Sequence, residues 1–221
     1  MVFADSTQLS YSSIFHSNNF CYYSIGLLLI SVQLNFWKQA MQWRNSTFRY
    51  GLISVSLHWL VAIAVFGLFA LGFWMVGLSY YSSWYQTAPN IHKSIGILLF
   101  IVMLARLAWR LASPPPPALP EHGRLTRVAS KLGHGFLYLG LFVLMTSGYL
   151  ISTADGRGIS VFGWFEVPAS VTSIPNQGDV AGLIHEYLAW AIVIFAVLHG
   201  LAALKHHFID RDRTLLRIFG R

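Results

Sequence analysis

The side chains with chemistry to offer are histidines, nine of them in a 221-residue chain that is 55% hydrophobic and only 10% charged. Two lie in a single apolar stretch, Val180 to Leu204 (VAGLIHEYLAWAIVIFAVLHGLAAL), with His185 near one end and His199 near the other. Their separation of fourteen residues is close to four helical turns, so both rings leave the same face, roughly 21 Å apart along the axis at 1.5 Å per residue. An ionisable ring buried in hydrocarbon needs a partner to offset its cost, and His58 and His92, in two other apolar stretches, are available. Two imidazoles facing each other across a helix bundle complete a six-coordinate iron when a porphyrin supplies the other four nitrogens. Zinc is the rival metal, but it takes three or four protein ligands. An iron with both axial positions filled has no place for oxygen or substrate, which leaves one-electron transfer as its chemistry.

The elements that must carry these rings follow from hydropathy. Soluble domains have about 25% charged residues, so this composition indicates an integral membrane protein. The net charge of +7 and pI near 9.8 raise nucleic acid as a partner, but the basic residues sit in short segments flanking apolar blocks, the pattern of membrane topology rather than of phosphate binding. Cys21 is the one cysteine; it excludes an intrachain disulfide, a cysteine-ligated cluster and a CxxCH covalent haem site. A span needs about 20 apolar residues, and four segments meet that: about 52–80, 91–111, 128–152 and 180–206. The expected fold is all-α, an integral membrane four-helix bundle in one domain. Between spans one and two, Trp84, Tyr85 and Pro89 make a short aromatic interfacial loop. SPPPPALP, residues 113–120, is a stiff non-helical connector, and 153–179 combines an ADGRG turn with the interfacial aromatics of FGWFEVP. Residues 1–40 carry only Asp5 and Lys38 as full charges, and their apolar part, Tyr22–Val32, is too short to span. They read as an extension, disordered or from a start assigned too early, with Met41 a natural beginning; a short interfacial helix is the alternative.

Twelve of the fifteen basic residues fall on one side, Arg44, Arg49, the cluster from Arg106 to Lys131, and the tail from Lys205 to Arg221. Lys93 and Arg157 stand on the other. Both termini are therefore expected in the cytoplasm, and the histidines sort into two levels: His58 with His199 on the inner side, His92 with His185 on the outer. Gly96, Gly133, Gly135, Gly148, Gly182 and Gly200 lie near these levels, where they either admit a flat ring or pack helices closely. His134 has three readings: a contact to a haem propionate, a substitute for His58, or an interfacial histidine. His206 and His207 are read as quinone-proton or propionate contacts, or as a solvated helix end. Arg106 and Arg110 are read as propionate partners or as anchors that snorkel toward headgroups.

The segments SLHWL, NIHKS, PPPP followed by LGHGFLYL, IHEYLAW with VLHG fourteen residues later, and HHFIDRDRTLLR together resemble the bacterial cytochrome b561 family. These are four-span dihaem proteins of the inner membrane, related to the cytochrome b subunits of nickel–iron hydrogenases. The resemblance covers roughly Gln42 to Arg221. It implies two haem b groups, held by His58 with His199 and by His92 with His185, and electron exchange with membrane quinone. For some members it also implies a small periplasmic donor such as superoxide. The alternative is a haem-bearing anchor subunit that wires a peripheral dehydrogenase or hydrogenase to quinone. Transport is disfavoured, because four spans and short loops leave no room for an inverted repeat.

Overall fold

The computed structural model describes residues 42–220, so the expectations for residues 1–40 lie outside it. Four helices long and apolar enough to cross a membrane follow in order: α1 (Leu52–Met75), α2 (Thr87–Ala112), α3 (Arg124–Ser152) and α4 (Gln177–Phe208). A two-stranded hairpin, β1 (Ile159–Val161) with β2 (Phe165–Val167), lies between α3 and α4, and a short α5 (Thr214–Ile218) closes the described chain. The four spans are those expected from hydropathy, with ends displaced by up to about a turn. Helix α1 stops at Met75, five residues early, at a turn through Gly77 and Leu78. Helix α2 begins at Thr87 rather than Ile91. Pro89 therefore sits in its first turn, where the missing N–H has no intrahelical role, and His92 lies a full turn inside the helix. Helix α4 starts at Gln177, after Asn176 takes a left-handed conformation (φ 52°).

The helices pack in sequence around the bundle. Helix α3 packs most extensively on α4, α1 on α2, and α2 on α3, with a slighter α1–α4 contact closing the ring. The core is narrow: Val61, Leu99, Met103, Leu141 and Ile192 are buried together. Ile192 is midway between His185 and His199, so this apolar plug separates the two histidine levels. Large apolar side chains cover the outside, among them Ile63 at 70% and Leu139 at 68% exposure, the inverse of a soluble fold and the surface that lipid covers.

The hairpin and the short α5 are elements that hydropathy did not indicate. The hairpin turn is closed by Trp164 N–H to the Val161 carbonyl (2.9 Å), with Phe162 and Gly163 at φ 49° and 74°, the positive values that tight hairpin turns require. Val161 and Ile159 are buried against the end of α2. There Ser94 donates its hydroxyl to the Ser160 carbonyl (3.3 Å) and accepts the Phe162 N–H (3.2 Å). The rest of the loop is tied to α3, Tyr149 bonding Pro168 O and Ser170 N and Gln177 reaching Leu150 O. The hairpin thus caps the bundle two residues from His92.

Candidate functional site

At the hairpin end, α2 and α4 bring His92 and His185 together, ring centres 6.2 Å apart and planes at 67°. His185 Nδ1 lies 3.0 Å from the Leu144 carbonyl and 3.2 Å from Ser147 Oγ. A carbonyl only accepts, so Nδ1 carries the proton and Nε2 keeps its lone pair, the orientation that metal-bound imidazoles take from a hydrogen-bonded neighbour. Glycines abut both rings. A Cβ at Gly148 would stand 2.9 Å from His185 Cε1, and one at Gly72 3.3 Å from His92 Cε1. His92 Nδ1 is buried with no hydrogen-bond partner, a costly state for a polar atom at membrane depth.

At the opposite end of the bundle, the arrangement is more crowded. His58 on α1, His134 on α3 and His199 on α4 share this level with Arg106 of α2. His134 and His199 are neighbours, ring centres 5.3 Å apart at 77°. His134 Nδ1 donates to the Ser130 carbonyl (2.7 Å). His58 Nδ1 instead accepts from the Arg106 guanidinium (3.0 Å), which puts its proton on Nε2. Arg106 and Arg110 both lie over the Tyr138 ring, 5.3 and 5.6 Å from its centre, a cation–π clasp between α2 and α3. Arg106 therefore points into the bundle instead of snorkelling outward.

The residues fit haem better than zinc. Imidazoles on opposite sides of one iron have ring centres roughly 6 Å apart, from about 2 Å per metal–nitrogen bond and about 1 Å from each nitrogen to its ring centre; the His92–His185 spacing matches. A Cβ at Gly96, Gly135, Gly182 or Gly200 would meet no protein atom within 4 Å, so these glycines are not seats for a neighbouring helix, and a flat ring has room beside them. Gly133 behaves differently, its Cβ position lying 3.2 Å from the Phe195 ring.

Beyond the spans, His206 at the end of α4 lies 2.9 Å from Asp210 and 3.0 Å from Asp212, and Asp212 also meets His122 at 2.9 Å. Burial pushes the Asp212 carboxyl up, but hydrogen bonds from Thr214 and His122 together with nearby His206 outweigh it and hold the group at about 2. His207 packs on Phe208 (4.9 Å) and takes no part. On the opposite side Arg157 is paired with Asp155; the hydrogen bond between them lowers the carboxyl and raises the guanidinium. Sequence reasoning missed the supports (Leu144, Ser147, Ser130, Ser94) and His122, because each acts through a neighbour on another helix or on a carbonyl.

Four membrane helices carrying paired imidazoles define a haem-bearing bundle, the class of membrane cytochromes. The model of the prokaryotic cytochrome b561 family matches residues 49–221, and the chain belongs to that family. It is similar to cytochrome b561 homolog 2 of Escherichia coli (strain K12), 56% identical over 181 residues that cover 82% of this chain and 96% of that protein. It is also similar to the probable superoxide oxidase CybB of Yersinia pestis, 28% identical over 77% of this chain and 95% of that protein. A third relative is cytochrome b561 homolog 1 of Escherichia coli (strain K12), 29% identical over 78% of this chain and 98% of that protein. The protein is thus a multi-pass protein of the bacterial inner membrane, and its family carries haem b and electron transfer.

Proposed function

We propose that this chain is a dihaem cytochrome b that moves electrons across the inner membrane, from a small donor on the periplasmic side to the quinone pool. The observation that carries the reading is the His92–His185 pair, spaced for one iron and with the His185 proton fixed on Nδ1 by Leu144. Haem with two axial imidazoles supplies one-electron transfer and offers no open coordination position. His92 and His185 would hold the outer group. His58 and His199 would hold the inner one, which requires His58 Nδ1, now contacted by Arg106, to carry the proton so that Nε2 is free. A specific observation keeps a second reading for the inner level: His134, not His58, has the ligand-ready tautomer and lies next to His199.

The bias of basic residues supports a topology with both termini in the cytoplasm, in which the hairpin roofs the periplasmic end. Superoxide as the donor draws support from the name of the Yersinia pestis relative, a probable superoxide oxidase. Lys93, one residue from His92, is the basic group placed to attract a small anion, since Arg157 is already paired. His206, His207 and Arg110 remain candidates for propionate or quinone contacts at the inner end. The test is to purify the protein alone, count b haem per chain by pyridine haemochromogen, and follow ubiquinone reduction by superoxide in proteoliposomes. Two haems and superoxide-driven reduction are expected; a haem-free preparation sinks the proposal. Two haems without that reduction leave the cytochrome and reject the donor.

A further inference from the structure

Where α4 ends, three segments converge: the connector after α2 with His122, the last turn of α4 with His206, and the chain after it with Asp212. We infer that His122, His206 and Asp212 form a binding site for one divalent transition-metal ion of the zinc type, separate from the haem levels. His122 Nε2, His206 Nδ1 and a carboxylate oxygen of Asp212 lie within 4.8 Å of one another, each residue half-buried. Two imidazoles and a carboxylate are the donor set that zinc takes when its fourth position is left to water, and nitrogen–oxygen donor sets of this kind suit first-row ions generally.

Three features of the geometry carry the assignment. His206 Nδ1 is buried and makes no hydrogen bond, although carboxylate oxygens of Asp210 and Asp212 stand at 2.9 and 3.0 Å. The ring nitrogen is thus aimed at the cluster without an aligned acceptor. Asp212 divides its oxygens: Oδ1 accepts the Thr214 N–H (2.7 Å), which leaves Oδ2 as the single oxygen facing both histidines. Ligands around tetrahedral zinc lie roughly 3.3 Å apart, given bonds of about 2.0 Å, so the 2.9 and 3.0 Å gaps to Asp212 open by a few tenths of an ångström, while the two ring nitrogens, within 4.8 Å of each other, draw together.

The cluster borders a cavity of about 430 Å³. Lys205 on its wall is neutralised by Asp210 at 2.7 Å, which also keeps Asp210 out of the ligand set. Arg211 and Arg213 line the cavity too, but they are exposed and screened by water. The Asp212 carboxylate between the two histidines opposes an anion such as phosphate. An ion here would tie the connector to the tail, two turns of α4 beyond His199.

The test uses tag-free, haem-loaded, full-length protein in detergent, stripped with a chelator and titrated with Zn²⁺ by calorimetry. One equivalent should bind with micromolar affinity or better and raise the thermal midpoint. His122→Gln and Asp212→Asn should each weaken binding at least about 100-fold, a larger loss than removal of a residue that only hydrogen-bonds a ligand, with the haem spectrum unchanged. His207→Gln should bind as the parent does. X-ray absorption at the zinc edge of the unmutated protein gives an answer that needs no variant: two imidazoles in the first shell support the site. No saturable equivalent in the parent, a first shell without imidazole, undiminished binding in His122→Gln and Asp212→Asn, or binding of inorganic phosphate in place of zinc would each overturn it.

Discussion

At the hairpin end, His185 gives its Nδ1 proton to a backbone carbonyl and faces a single imidazole at 6.2 Å; at the other end, His199 faces His134 at 5.3 Å while Arg106 occupies the Nδ1 of His58. The same helix presents both rings, four turns apart, yet their surroundings differ. One level is a pair with its supports in place. The other is a cluster in which a cation and a third histidine compete for the positions around the ring. Ligand competence is thus decided less by the imidazole than by what binds its second nitrogen.

Several substitutions break or sharpen that contrast. The largest effect is expected from His185→Ala, which should halve the haem per chain, measured by pyridine haemochromogen, because the outer level has no spare imidazole among the described residues. Next comes the pair His58→Ala and His134→Ala. The first should lose the inner haem and the second keep both; the reverse result would make His134 the ligand and leave His58 a partner of Arg106. Gly148→Ala should perturb the outer level more mildly. Its new Cβ, 2.9 Å from His185 Cε1, meets a ring pinned by two contacts, so a shifted midpoint potential or partial loss of the outer haem is expected. Gly140→Ala is the matched control, since its Cβ meets the flexible end of Ile192 at 3.3 Å and should leave both haems as they are. The smallest effect belongs to Ser147→Ala, which removes one of two polar contacts to His185 Nδ1. It should displace only the outer potential in a redox titration, with haem content unchanged.

Much of the fold is legible in the sequence. Spans at Leu52, Thr87, Arg124 and Gln177 were foreseen to within about a turn because hydropathy is a running local property, and a membrane demands long uninterrupted apolar stretches. The end of α1 and the start of α2 were misjudged because Gly77 and Pro89 act at helix termini, where one residue changes which backbone groups need partners. The hairpin escaped notice because three-residue strands carry too little alternation to register. For Arg106 the sequence leaves two readings open, a propionate partner and an outward anchor; its inward turn depends on Tyr138 and His58, which lie on other helices.

The sequence by itself determined how many helices cross the membrane and that His185 and His199 share a face, since both follow from properties that repeat along one chain segment: hydrophobicity and the 3.6-residue turn. Only the tertiary structure decided that His134 neighbours His199, where each ring's proton resides, and that His122 joins Asp212 across ninety residues of chain. Those outcomes depend on how helices seat against one another, and contacts between distant segments leave no period in the sequence to be read.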